Sequence, residues 1–230
     1  MNLKTQTGFS MIELLIAIAI SSILITLMSG TYYLYSNVSQ TQDRVVSVNQ
    51  KLRSVIYLLE RDLLMAGFDS DPTNPAGTGF SSAQNNSMTF TFVENSDGID
   101  NDGDGTTDEV NELETVDYTF SSNTIFREDS QSIDSDSDGT IDPDVLANDI
   151  EAVEFYYTLE DGSQSTSVNA GNLDKIRSVT VSVLGRSQFN AKNFNDNTQY
   201  TTPSGASFGP FNDSFVRRLL TTTVSCRNIR

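Results

Sequence analysis

Residues 8–16 read Gly8-Phe9-Ser10-Met11-Ile12-Glu13-Leu14-Leu15-Ile16. Gly8 closes a short polar stretch over residues 1–8, MNLKTQTG, with one cation at Lys4. After Glu13 come 22 residues, Leu14 to Tyr35, without a formal charge and rich in Ile and Leu. As a helix rising 1.5 Å per residue they would extend about 33 Å, enough to cross a bilayer core. Hydropathy alone fits an uncleaved membrane anchor. A secretory signal has a shorter apolar region and a small-residue cleavage site behind it. Neither explains Glu13, because an acid at bilayer depth costs about 2.5–3.5 kcal/mol on insertion scales and is a functional candidate by default.

From Gln42 the apolar character narrows to a stripe. Val45, Val48, Leu52, Ile56, Leu59 and Leu63 are spaced by 3, 4, 4, 3 and 4, which is helical period. Asp43, Arg44, Lys51, Arg53, Glu60, Arg61 and Asp62 fill the other faces. Gly30 is a tolerated interior glycine, and Gly67, Pro72 and Pro75 end the pattern. The expectation is a helix over 9–66, roughly 87 Å long, with 9–35 apolar and 36–66 amphipathic.

Beyond Gly67 the period changes from 3.6 to 2. Met88, Phe90 and Phe92 alternate with threonines, as do Val116, Tyr118 and Phe120, with Ile125-Phe126 continuing a hairpin. Val153, Phe155, Tyr157 and Leu159 form another set, Val179, Val181 and Val183 a fourth, and Phe215 to Val224 a fifth. This predicts an antiparallel sheet with one face on the helix and one wet. Residues 69–86 and 185–213 read as Gly/Ser/Asn/Pro-rich loops. The fold class is α+β, with a globular β-rich part over 67–230.

Composition excludes much. Among the 230 residues there is no His, no Trp and a single Cys, Cys226, which reads as a buried small apolar residue. His-based triads, Cys/His zinc sites and an intrachain disulfide are ruled out. No nucleophile–base pair or phosphate loop is present, so nothing argues for an enzyme. The formal charge of −17, 31 acids against 14 bases, makes nucleic acid a poor partner.

The acidity is local. Glu94 to Glu114 hold nine acids and no base, Glu128 to Asp144 seven acids and no base, and the remainder is nearly neutral at 15 against 14. Asp100-Asn101-Asp102-Gly103-Asp104-Gly105-Thr106-Thr107-Asp108 spells D-x-D-x-D-G-x-x-D, and Asp134-Ser135-Asp136-Ser137-Asp138-Gly139-Thr140-Ile141-Asp142 spells it again. This is the core of EF-hand-like calcium loops. Carboxylates ligate from positions 1, 3 and 5 and a backbone carbonyl from 7, here Thr106 and Thr140; Gly at 6 permits the turn. Position 12 is Asn111 or Val145 instead of the usual Glu. Glu109 or Glu112 and Asp144 stand near enough to substitute, and Asp97 adds to the first site. Such helix-less loops bind calcium weakly, at about 10⁻⁴–10⁻³ M, which suits an exterior compartment. Two calcium ions are the expected cofactors, held by acidic loops 97–112 and 134–144. The bland alternative is a pair of solvated acidic loops.

The segment Gly8-Phe9-Ser10-Met11-Ile12-Glu13 resembles the type IV prepilin signature. That resemblance implies a leader, residues 1–8, cut after Gly8 by a prepilin peptidase. It implies N-methylation of the new amine at Phe9, and pairing of Glu13 with the amine of a neighbouring subunit in a filament. An unpaired charge in the water-poor filament core would be very costly, so the pair would act as an assembly register. Four further phrases are similar to PilW-like minor pilins and J-type pseudopilins: 61–68 (RDLLMAGF), 148–157 (NDIEAVEFYY), 176–187 (IRSVTVSVLGRS) and 217–228 (RRLLTTTVSCRN). The resemblance implies the type IV pilin fold and a single-pass inner-membrane protein with its globular part in the periplasm, later extracellular in a filament. Its partners would be other pilin and minor pilin subunits. The lone Cys226 departs from the Cys pair of many major pilins and favours a minor one. A J-type pseudopilin of a type II secretion pseudopilus, or a calcium-dependent tip adhesin serving cell adhesion, are the alternatives.

Overall fold

In the computed structural model, residues 10–69, 77–93, 113–129 and 142–229 are described. Helix α1 runs Met11–Met65 and passes through Gly30 without interruption. The chain divides into two units, residues 1–43 and 44–230. The first is the N-terminal part of α1, and its side chains from Met11 to Tyr35 are exposed.

The second unit is built around the amphipathic part of α1. Val48, Leu52, Ile56, Leu59 and Leu63 are buried, as the stripe requires, and Val55 joins them. Burial of each such side chain is worth about 1.5–3 kcal/mol. The helix ends at Met65. Gly67 adopts φ +77°, and a Cβ there would lie 2.6 Å from Ile229 Cδ1 and 3.1 Å from the Asn228 backbone. Glycine is thus required both by conformation and by space.

The sequence led to a single sheet; the structure has two larger ones. Strands β1 (Gly79–Ala83), β2 (Ser87–Val93), β3 (Leu113–Ser121), β4 (Thr124–Glu128) and β5 (Asp144–Asn148) form an antiparallel meander in chain order. Strands β6 (Ile150–Leu159), β7 (Gln164–Ser165), β8 (Ile176–Arg186) and β11 (Arg217–Ser225) form a second antiparallel sheet in the order β11-β8-β6-β7. A 3₁₀ turn, Ala170–Lys175, precedes β8. Between β8 and β11, β9 (Tyr200–Thr201) and β10 (Ser207–Phe208) make a small hairpin.

The alternating residues are where period 2 placed them. Phe90, Tyr118, Phe155, Tyr157, Val179, Val181 and Val183 are in the core with the helix stripe. Phe80 packs edge-on to Phe90 and Tyr157, at 5.8 and 6.3 Å between centroids. Cys226 is a buried free cysteine whose thiol burial pushes up to about 12. At Gly185 a Cβ would come within 2.9 Å of Leu52 Cδ2, so this glycine lets β8 approach α1 closely.

Three expectations need correction. Residues 69–86 contain β1, whose Phe80 and Ala83 are buried and whose polar neighbours disguised it. Residues 185–213 contain the end of β8 and the β9–β10 hairpin, and the expected wet face of the second sheet is partly covered by this segment. There Thr202 and Ser204 donate to Glu154 of β6, and Glu154, Ser182 and Thr202 are buried. Asp62, assigned to an outer face, is buried at 4% exposure.

Candidate functional site

The start of α1 is built by its own sequence. The backbone N–H of Ser10 donates to Glu13 Oε2 at 2.8 Å, and Leu14 N–H donates to Ser10 O at 3.2 Å. Ser10-x-x-Glu13 thus forms the reach-back half of a capping box, with the acid placed favourably at the positive end of the helix dipole. Glu13 is exposed. Gly8 and Phe9, the predicted processing junction, lie outside the described residues.

The run that follows satisfies its own polar atoms. The hydroxyls of Ser22, Thr26, Ser29 and Thr31 donate to the carbonyls of Ala19, Ser22, Ile25 and Leu27 at 2.8–3.0 Å. Meanwhile Ile16, Ile18, Ile23, Leu24 and Leu27 are each more than half exposed. A helix with outward apolar side chains and internally bonded hydroxyls is soluble in hydrocarbon and costly in water. It is long and apolar enough to cross a membrane.

Of the predicted calcium ligands, Asp97, Asp100, Asp102, Asp104, Thr106, Asp108, Glu109, Glu112, Asp134, Asp136, Asp138 and Thr140 lie outside the described residues. Asp142 is half-buried, and Asp144 is exposed at the start of β5. The first acidic segment joins β2 to β3 and the second joins β4 to β5. Asp117 pairs with Glu128 and Arg127 with Asp144, so the flanking strands Val93/Leu113 and Glu128/Asp144 all terminate toward one end of the first sheet. Among the described residues, no three His, Cys, Asp or Glu side chains converge as a metal site.

The sequence reading missed two buried polar centres. In the first, Asp62 Oδ2 accepts from Tyr118 Oη at 2.7 Å and from Arg127 Nε at 2.8 Å, while Oδ1 accepts from Arg61. Arg127 also pairs with Asp129. Burial and then the Asp62 charge push the Tyr118 phenol far above its ordinary range. Burial works against the Arg127 cation, yet the hydrogen bond and charge of Asp62 outweigh it and hold the guanidinium more firmly protonated. The available signal was positional: Val55, Leu59, Asp62 and Ala66 form one i, i+4, i+7, i+11 row.

The second centre surrounds Arg217, whose side chain is 1% exposed. Its Nη2 donates to Glu151 Oε1 and Asp213 Oδ2 at 2.8 Å each, and its Nη1 to Asp213 Oδ1 at 2.6 Å and Asp196 Oδ2 at 3.3 Å. The guanidinium lies 3.8 Å from the centroid of the Phe211 ring, a stacked arrangement suited to arginine and not lysine. Burial opposes its charge, but the bonds to Asp213 and Glu151 raise its affinity for the proton overall. The centre ties the segment between β8 and β11 to β6. It spans chain positions 151 to 217, and no local pattern announces it. Both centres bind the domain to itself.

Residues 115–228 match the family model described as Type IV Pilus-assembly protein W, and residues 3–29 match the prokaryotic N-terminal methylation motif. A type IV-like pilin from Thermus thermophilus has a similar solved structure. The TM-score is 0.54 at 14% sequence identity, over 79% of this chain and 98% of that one. At that identity the likeness concerns the fold: a long N-terminal helix with antiparallel sheets. Among curated proteins, none matches the chain.

Proposed function

We propose that this chain is a minor pilin of the PilW-like branch of the type IV pilin-like proteins, a reading supported by the match of residues 115–228 to the Type IV Pilus-assembly protein W model and of residues 3–29 to the N-terminal methylation motif. In this reading the leader 1–8 is removed after Gly8 by prepilin peptidase, and the amine of Phe9 is methylated. The chain waits in the inner membrane, spanning it once with the domain in the periplasm, and then joins an extracellular filament. The role is structural and not catalytic. The observation that carries it is the run Leu14–Tyr35, with its outward apolar side chains and inward hydroxyl bonds, opened by a single acid, Glu13. Such a run needs lipid or neighbouring helices around it, and the acid needs a cation once water is gone. The methylated amine of an adjacent subunit supplies that cation.

Calcium enters the same reading as a stabiliser of the β2–β3 and β4–β5 connections. The repeated acid and glycine spacing supports it, and so does their attachment toward a common end of one sheet. The proposed ligands are Asp100, Asp102, Asp104, Thr106 and Asp108 with Asp97 and Glu109 or Glu112 in the first loop, and Asp134, Asp136, Asp138, Thr140 and Asp142 with Asp144 in the second.

Mass analysis of filament-associated protein tests the central reading. The mature chain should begin at N-methylated Phe9 and hold 222 residues, the 230 less the eight of the leader. Recovery from filaments of chain still beginning at Met1 would sink it.

A further inference from the structure

Two buried acids of the domain are met by arginine: Asp62 by Arg127 and Asp196 by Arg217. Glu154 of β6 is as deeply buried, at 4% exposure, and is met differently. Its Oε2 accepts from Thr202 Oγ1 at 3.0 Å and from Ser204 Oγ at 2.5 Å. Its Oε1 is buried with no hydrogen-bond partner, and no lysine or arginine among the described residues pairs with it. A buried carboxylate with one bare oxygen and no counter-charge is costly.

Glu154 lines an open cleft of about 580 Å³, within the size range of small-molecule sites. Tyr156 of β6 and Gln164 and Ser165 of β7 form one side. Ser204 forms the other, on the turn between β9 and β10 that Thr202 N–H closes onto Ala206 O. Asn85, whose carbonyl accepts the Phe155 N–H, completes the lining. Ser204 both bonds Glu154 and faces the cleft, which places the carboxylate at the cleft wall. Glu154 carries the only formal charge among the lining residues; its neighbours are hydroxyls and amides. Oε1 is shielded from water, so entry requires the Ser204 side chain to turn aside.

These groups select the ligand. An anion is repelled by the lone carboxylate, and a neutral molecule leaves its charge uncompensated. A divalent metal wants more anionic oxygens than one carboxylate supplies. A guanidinium binds best through both carboxylate oxygens, and Oε2 already holds two hydroxyls. A primary ammonium needs only one oxygen and brings three donors for the acceptors around it. A lysine side chain would set its apolar stem against polar walls, whereas a hydroxylated carrier satisfies them. We propose that this cleft binds an amino sugar, its ammonium seated on Glu154 Oε1 and its hydroxyls on the amides and hydroxyls of the lining. The site stands apart from the N-terminal helix and from the acidic loops, and its existence does not depend on the filament role.

The test is saturation-transfer NMR on the full-length chain in lipid nanodiscs, with glucosamine as the probe and physiological salt to screen the acidic loops. Saturable binding is expected. N-acetylglucosamine, which lacks the ammonium, and lysinamide, whose side-chain ammonium sits on an apolar stem, should each bind weaker by about tenfold or more. Glu154→Gln keeps an oxygen for Thr202 and Ser204 and loses the charge; it should weaken glucosamine binding by about tenfold or more. Glu160→Gln removes an equal charge at an exposed position and should stay within about twofold of the parent. Without ligand, Glu154→Gln should melt no lower than the parent, because the bare charge is gone. If that variant fails to accumulate, Ala206→Trp fills the cleft, leaves Glu154 in place and should weaken binding to the same degree. No glucosamine binding, equal binding of N-acetylglucosamine or lysinamide, binding indifferent to these variants, or an unliganded Glu154→Gln that melts well below the parent overturns the proposal.

Discussion

Asp62 of helix α1 accepts a hydrogen bond from the phenol of Tyr118 at 2.7 Å, across 56 positions of sequence. The helix and the first sheet are joined there by a charge and not only by packed apolar surface. Asp62 is buried and Arg127 nearly so. Removing one partner of such a pair strands the other without water, at about 3–5 kcal/mol. Asp62→Ala should therefore lower the unfolding free energy of a 44–230 domain by about that much in urea. Tyr118→Phe, which leaves the Arg127 pair in place, should cost about 1–3 kcal/mol. The double variant should lose less than the sum of the two.

Arg217 holds the segment between β8 and β11 through Asp196 and Asp213. Arg217→Ala would leave Glu151, Asp196 and Asp213 facing one another, and should cost about 3–5 kcal/mol in the same measurement. Arg217→Lys keeps the charge but loses the fork and the stacking on Phe211, and should recover only part.

Acid should loosen the same segment. The Arg217 hydrogen bond holds the Asp213 carboxyl below its ordinary value. A depressed folded pKa means that its stabilisation is fully present above the ordinary carboxylate range, about 4. That stabilisation is lost as pH falls through the folded value beneath it. The melting temperature should therefore decline below about pH 4, and Asp213→Asn should flatten the decline. An unchanged slope in the variant would remove Asp213 from the account.

How much of this was legible varies with the range of the interaction. The stripe Val48-Leu52-Ile56-Leu59-Leu63 and the alternation through Val179, Val181 and Val183 are local periodicities, and the apolar face is buried in both; the opposite face of β8, with Thr180 and Ser182, is buried as well, which alternation does not reveal. The helix stop at Gly67 was also local. The split into two sheets was not, because alternation fixes which face of a strand is buried and says nothing of its neighbour. Asp62 was misplaced because an acid reads as solvent-facing unless its row, Val55-Leu59-Asp62-Ala66, is inspected. The Arg217 centre draws on residues 151, 196, 213 and 217, and no spacing rule joins them.

Calcium should raise the stability of the 44–230 domain. Without metal, the carboxylates of 97–112 and 134–144 repel one another; a bound cation neutralises them, and binding adds directly to folding stability. At one hundred times the dissociation constant each site adds about 2.7 kcal/mol. Millimolar calcium should raise the melting temperature and chelator should reverse it. Magnesium should do less, since it dehydrates reluctantly. Asp102→Ala with Asp104→Ala should remove one increment, and Asp136→Ala with Asp138→Ala the other. A melting temperature indifferent to calcium, with no heat of binding, would leave the loops as solvated acidic segments.

Glu13 has two separable tasks. Within the chain its carboxylate accepts the Ser10 N–H and closes the start of α1. Between chains, it is proposed to receive the amine of Phe9 from a neighbour. A glutamine keeps an oxygen for the first task and loses the charge needed for the second; an alanine loses both. Membrane insertion should be unimpaired or improved in Glu13→Ala and Glu13→Gln alike, because each removes a charge from bilayer depth. Incorporation into filaments should fall in both, to a similar degree, if charge pairing is what assembly requires. The measurement is the ratio of variant in sheared filaments to variant in membranes, relative to the parent. Normal incorporation of Glu13→Gln with loss only in Glu13→Ala would show that the helix cap is what matters and would refute the pairing role.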